Sequence, residues 1–96
     1  MIAALDPKLV APARLTMMTM LTAASEVEFS TIRDQLQISD SLLSKHISAL
    51  ANAGYVKSRK GTHRGRRTTW ISLTARGRTA LSTHVALLRE LIANID

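Results

Sequence analysis

Ser39-Asp40-Ser41-Leu42-Leu43-Ser44-Lys45-His46-Ile47-Ser48-Ala49-Leu50-Ala51-Asn52-Ala53-Gly54 is the stretch that decides how the chain is read. Ser39 suits a helix N-cap, because its hydroxyl can accept one of the orphan amide protons of the first turn, and Asp40 complements the positive end of the helix dipole. Gly54, the residue type that enters the left-handed position beyond a helix at least cost, ends this helix after about Ala53. Leu43, Ile47 and Leu50 recur at i, i+4 and i+7 and form one core stripe. At about 100° per residue, Ser41, Leu42, Ser44, Lys45, Ser48, Ala49 and Asn52 fall on the far side. The exposed face is therefore small, hydroxyl-rich and basic.

Upstream, Ser30 reads as another N-cap, opening a helix from Thr31 to about Gln37 that buries Ile32 and Leu36. Only Ile38 and Ser39 separate the two helices, so they must turn sharply on each other, which is helix-turn-helix spacing over about residues 30–53. Asp6-Pro7 is a helix start, and Pro12 ends or restarts that turn. From Ala13 to Ala24, the residues Ala13, Met17, Met20, Leu21 and Ala24 share one stripe while Leu15 and Met18 lie nearly opposite, so this helix has two neighbours. Ser25 to Phe29 is a short connection ending in a brief extended piece.

Downstream, Tyr55 to Lys60 and Thr68 to Leu73 read as strands, the latter with Thr69, Ile71 and Leu73 on one face. Gly61 to Arg67 is a flexible, strongly basic tip between them, completing a hairpin over about 55–73. Thr74 caps a last helix running to about Ile95. Its Leu81, His84, Leu88, Leu91 and Ile95 alternate by three and four, with Val85 and Ile92 broadening an apolar stripe of roughly 160°. The fold class is mainly α with a small β-hairpin (α+β).

Ninety-six residues predict one domain, 1–96. With 46% apolar and 21% charged residues the chain has the composition of a folded protein. The absence of cysteine excludes disulfides, thiolate metal sites and cysteine nucleophiles. Met1 to Leu5 lack the pattern of a secretory leader, and no run approaches the roughly 18 apolar residues of a membrane span, so a cytoplasmic location is expected. The net charge of +6 is distributed unevenly. Residues 1–40 hold three basic and five acidic side chains, whereas Ser41 to Arg89 hold ten basic and no acidic ones. A block of that kind points to a polyanionic partner, with a solvated basic face as the plain alternative.

Specific residues also resemble a known superfamily. Arg14-Leu15-Thr16-Met17-Met18-Thr19-Met20-Leu21, Ser44-Lys45-His46-Ile47-Ser48-Ala49-Leu50 with Ala53-Gly54-Tyr55-Val56, and Thr69-Trp70 with Leu73-Thr74-Ala75-Arg76-Gly77-Arg78-Thr79-Ala80-Leu81 are similar to signatures of the MarR/ArsR-like regulators, closest to small single-domain MarR-like ones. The resemblance covers roughly residues 5–92. It implies a winged helix-turn-helix with a long C-terminal dimerisation helix, binding double-stranded DNA as a homodimeric transcriptional repressor, with a small-molecule effector at the dimer interface. Gln37 stands where these families commonly place glycine in the turn. The cysteine pairs of thiolate sensors are absent, and His84 and Glu90 lack the partners of the last-helix zinc site, so neither a metal nor another cofactor is expected.

The expected DNA-reading surface is the helix face of Ser39, Ser41, Leu42, Ser44, Lys45, His46 and Ala49 in the major groove. Lys45 is placed for a guanine or phosphate, Leu42 for a thymine methyl, and His46 at the edge of the core stripe divides evenly between packing and phosphate contact. Arg64, Arg66 and Arg67 form the wing contact with phosphates or the minor groove. Ser30, Thr31, Lys57, Arg59 and Lys60 are candidates for phosphate contact, with capping the rival role for Ser30 and Thr31, and long-range attraction the fitter one for the other three. Trp70 suits packing or a partner contact better than base stacking. Dimerisation segments are expected at about 9–22 and 80–95, through Leu15, Met18, Leu81, His84, Leu88, Leu91 and Ile95, His84 fitting a satisfied structural role better than a pH-sensitive seam. Two competing functions stand beside the regulator: a winged-helix module binding an acidic protein partner, and an enzyme. The enzyme finds little support, since His46, His63 and His84 sit on separate elements, no carboxylate lies between Ser41 and Arg89, and no phosphate-cradling glycine motif occurs.

Overall fold

A computed structural model describes residues 5–95, so the reading of Met1 to Leu5 as lacking a leader falls outside it apart from Leu5. The elements are α1 (Pro12–Thr22), β1 (Val27–Glu28), α2 (Phe29–Leu36), α3 (Asp40–Asn52), β2 (Val56–His63), β3 (Arg66–Leu73) and α4 (Ala75–Ala93). The three strands form one antiparallel sheet in the order β1-β3-β2. No helix among the described residues is long and apolar enough to cross a membrane.

The core forms where the apolar stripes meet. Leu9, Met17, Met18, Leu21, Ile32, Leu43, Leu50 and Ile71 are fully buried, with Ile47, Val56 and Leu81 nearly so. Each such side chain contributes roughly 1.5–3 kcal/mol, so this cluster outweighs any exposed ion pair in fixing the fold. α1 packs against α2, α4 and β3. Both of its apolar faces are thereby covered within one chain, and Met18 is as buried as Met17.

Local chemistry sets the boundaries. Ser39 Oγ accepts the Leu42 N–H at 3.1 Å, and Thr74 Oγ1 accepts the Gly77 N–H at 2.9 Å, so both expected caps are made. Gln37 takes the left-handed conformation (φ 54°, ψ 47°) that the tight turn between α2 and α3 demands. Ser30, by contrast, is no cap: α2 begins at Phe29, and Glu28, in the N-cap position, makes no side-chain cap. Glu28 is paired with Trp70 in the sheet, and the chain enters the helix directly from that pairing. Pro7 to Leu9 form only a turn, closed by the Leu9 N–H to the Asp6 carbonyl at 3.0 Å and by the Lys8 N–H to Asp6 Oδ1 at 2.9 Å. Pro12 restarts the chain as the first residue of α1, which stops at Thr22 and leaves Ala24 exposed.

The hairpin is longer and stiffer than its glycines and arginines suggest. Pairing runs without a break from Val56↔Leu73 to His63↔Arg66, so the turn is Arg64 and Gly65 alone. Both have positive φ, 53° and 77°, as a two-residue primed turn requires. Arg66 and Arg67 therefore belong to β3 rather than to a flexible loop.

α4 leans directly on the chain leaving α3. A Cβ on Gly77 would lie 2.1 Å from the Tyr55 carbonyl oxygen, so only glycine permits this approach. The Thr74 hydroxyl donates to the Gly54 carbonyl at 2.6 Å, and the Thr74 N–H to that of Tyr55 at 3.0 Å. Gly77→Ala is expected to destabilise the fold by about 1–3 kcal/mol or more, because backbone must move. Gln37→Gly should stabilise it by a few tenths to about 1 kcal/mol, because the left-handed penalty disappears while the unfolded chain gains some freedom. Urea denaturation of the two variants, with shifts of opposite sign, checks both.

Candidate nucleic-acid interface

On α3 the apolar stripe faces inward and leaves Ser41, Leu42, Ser44, Lys45 and Ser48 exposed along a shallow hollow. Leu42 is 41% exposed, unusual for a leucine beside a satisfied core. Ala49 is half-buried at the margin. Asp40, the last carboxylate before the basic block, is not free: Arg33 Nη1 donates to its Oδ1 at 3.0 Å while Arg33 Nε donates to Asp34 at 2.9 Å. One guanidinium thus bridges both acids at the turn and ties α2 to the start of α3.

His46 is half-buried and accepts the Arg14 Nε–H on Nδ1 at 3.1 Å, joining α3 to α1. Burial, then the charges of Arg14 and Lys45, hold its pKa below the ordinary histidine value. The neutral form is the one the fold selects, since an imidazolium could not accept that bond.

The hairpin carries the second cationic group. Arg64, Arg66 and Arg67 are all exposed, as are Lys57 and Lys60. Arg66 and Arg67 are neighbours on β3 and project to opposite faces of the ribbon. A cleft of about 440 Å³ opens between the outer half of β3 and the start of α2, lined by Glu28, Ser30, His63, Arg64, Arg66 and Arg67 among others. Ser30 is half-buried in the first turn of α2 and Thr31 exposed beside it. Glu28 lies within this cationic cleft, accepting from Thr68 Oγ1 at 2.9 Å and standing 3.6 Å from His63 Nε2. Among the described residues no group of three or more His, Cys, Asp or Glu side chains could hold a metal ion.

Residues 13–92 match the family model described as a winged helix DNA-binding domain. The chain belongs to that family. The winged helix is 28% identical over 83 residues to an uncharacterised protein of Methanocaldococcus jannaschii, covering 86% of this chain and 90% of the relative. It superimposes on a transcriptional regulator homologue of Pyrococcus horikoshii with a TM-score of 0.85 at 28% identity, covering 93% of this chain and 88% of the other. The M. tuberculosis transcriptional regulator MOSR, solved in complex with DNA, has a TM-score of 0.72 at 22% identity, covering 97% and 69%. Solved MarR-family regulators share the architecture, so the fold is MarR-like.

In this winged helix, α2 and α3 are the helix-turn-helix, and β2 and β3 the wing. The exposed α3 face lies where the sequence reading put it, except that the Ser39 hydroxyl is occupied as a cap and His46 is held by Arg14. Arg59 departs furthest from expectation, since it is bound to Glu26 by two hydrogen bonds of 2.7 Å. Met18, Leu81 and His84 are buried inside the single chain and have no surface to offer a partner. His84 Nδ1 accepts the Asp6 N–H at 3.4 Å, and the Tyr55 hydroxyl donates to the Asp6 carboxylate, a bond that raises the Tyr55 pKa. Leu15, Leu88 and Leu91 are half-buried, and Ile95 is 72% exposed. Arg14, Arg33, Glu26 and Glu28 were missed because each reaches a side chain 7 to 40 residues away along the chain.

A lowered histidine pKa gives a signed prediction. The unfolded His46 takes up its proton as pH falls through about 6.5, before the folded one does. Its contribution to stability is thus complete above that pH and shrinks below it, until the folded pKa is also passed. Urea midpoints at pH 7.5 and 5.5 should fall further for the wild type than for His46→Gln, the difference between the two isolating this group from other titrations.

Proposed function

We propose that the chain is a sequence-selective, double-stranded DNA-binding transcriptional regulator, a cytoplasmic homodimeric repressor acting on a pseudo-palindromic operator. The observation that carries the reading is the exposed face of α3, free of carboxylates after Asp40, joined through Gly54 to a hairpin tipped with Arg64, Arg66 and Arg67. Small hydroxyl side chains let α3 enter a major groove without bulk, Lys45 supplies a donor for guanine or phosphate, and Leu42 an apolar contact for a thymine methyl. A stiff two-residue turn presents Arg64 at the wing tip, suited to the negative potential of a narrow minor groove. Ser30 and Thr31, at the amide-rich start of α2, suit phosphate oxygens. Lys57 and Lys60 add attraction along the backbone.

Pairing follows from α4. Beyond His84 its apolar residues lose cover, with Leu87, Leu88 and Leu91 half-buried and Ile92 and Ile95 exposed at 65% and 72%. Val10, 57% exposed, and the half-buried Leu15 extend this apolar material. A two-fold partner built on these segments would place two α3 helices about one turn of DNA apart. An effector seated in that interface completes the reading, on the strength of the resemblance.

Selection of bound duplexes from a random pool is expected to enrich a two-fold symmetric site; no enrichment at low salt sinks the reading. A dimer neutralising about eight phosphates should lose affinity with a log–log salt slope near −7. Lys45→Ala is expected to cost about tenfold and relax preference at one base pair, whereas Arg67→Ala should weaken all duplexes alike and shrink the slope by about 1 per protomer. Ile92→Asp with Ile95→Asp should yield a monomer by sedimentation, with operator affinity lost.

A further inference from the structure

We propose that the outer face of the wing is a latch that sets the wing's angle to the helix-turn-helix, with Arg59 as its positioning residue rather than a phosphate contact; this rests on the DNA-binding reading above. The register makes the face explicit. Ser58 and Val56 stand opposite Ile71 and Leu73 toward the core, so Arg59, Gly61 and His63 project the other way, with Trp70, Thr68 and Arg66. Glu28, opposite Trp70 on β1, shares that outer face.

β3 lies between β1 and β2, so Arg59 and Glu26 start from opposite flanks of it. The Arg59 side chain crosses over Trp70, its guanidinium carbon 5.8 Å from the ring centroid. It then donates from Nε to Glu26 Oε2 and from Nη2 to Oε1, both at 2.7 Å. Gly61 leaves the space for this crossing: a Cβ there would lie 2.7 Å from Arg59 Nη1 and 3.2 Å from Trp70 Cδ1. On the other side His63 meets the Trp70 ring edge-on, with centroids 5.7 Å apart and planes at 76°, and approaches Glu28, which also accepts from Thr68. Two acids just before α2 thus hold the two side chains that flank Trp70. Arg59 keeps Glu26 below the ordinary carboxyl pKa, so the pair is fully charged at neutral pH.

The wing needs such a device. β1 pairs only with Trp70 and Ile71, so everything from Thr69 outward is a two-stranded ribbon without a third strand, and such ribbons twist and bend readily. Because α2 follows Glu28 with no intervening residue, the latch connects the direction of the wing to the helix pair itself.

The two roles for Arg59 predict opposite signs for Glu26→Gln. A phosphate-seeking arginine would be released by that change, and an acid removed, so binding would tighten. A latch would be broken, so binding would weaken. With the symmetric duplex obtained by selection, followed by fluorescence anisotropy over a range of KCl, Glu26→Gln and Arg59→Gln are each expected to weaken binding about threefold to fivefold. The double variant should be no worse than either single one, and the salt slopes should be unchanged. Arg59→Lys keeps the charge but not the fork, and should behave like Arg59→Gln. Tighter binding by Glu26→Gln, additive losses, or a slope reduced by about 0.9 per protomer in Arg59→Gln would each overturn the latch. A wild-type chain that bound no duplex would refute the regulator reading instead. The latch is then judged by amide exchange in the free protein: residues 59–70 should exchange several-fold faster in Glu26→Gln with α3 unchanged, and equal protection would overturn it.

Discussion

The meeting of Gly54-Tyr55 with Thr74 and Gly77 is the contact on which the rest of the molecule depends. Four elements pass through it, since α3 ends there, β2 begins, β3 ends and α4 starts. Thr74 serves three strangers at once: its hydroxyl donates to the Gly54 carbonyl and accepts from Gly77, while its N–H reaches the Tyr55 carbonyl. A helix can lie this close to backbone only where a glycine faces it. The direction in which α3 presents its exposed face, and that in which the hairpin leaves, are both fixed relative to α4 at this one place.

Charge is organised on the same frame. The basic half of the chain would repel itself and attract the flanking acids indiscriminately, yet each acid nearest the hairpin and α3 has a specific neighbour. Arg33 takes Asp34 and Asp40, Arg59 takes Glu26, and Thr68 with His63 takes Glu28. On α3 and the hairpin, the charged side chains among the described residues without such a neighbour are cationic: Lys45 on α3, and Lys57, Lys60, Arg64, Arg66 and Arg67 on the hairpin. The field of the protein is therefore stronger at these two surfaces than a net charge of +6 implies.

Much of this was readable from short-range pattern. Ser39 and Thr74 as caps and Leu43-Ile47-Leu50 as a buried stripe all concern groups within one or two helical turns of each other. Readings that failed needed information from across the fold. Ser30 looked like a cap because strand pairing at Glu28 is invisible locally. The Gly61 to Arg67 segment looked like a loop because its composition is that of one, yet all of it except Arg64 and Gly65 is paired through backbone, which has no sequence signature. Met18, on the second face of α1, looked like a dimer contact because counting faces cannot say which neighbour covers them. Here β3, α2 and α4 of the same chain do so.

Periodicity, caps and the sign of charge along the chain were enough by themselves to determine the element order from α1 onward, the face of α3 that meets solvent, and the cationic character of the hairpin, because each depends on residues close in sequence. Tertiary structure alone decided which cations are free. Arg59 and Lys60 are adjacent and both cationic, but only Arg59 crosses Trp70 to reach Glu26, 33 residues upstream. His46 is likewise engaged by an α1 arginine 32 residues before it, whose Nε–H it accepts. A side chain's charge is written in its own residue type, whereas its availability is set by whatever the fold brings within 3 Å.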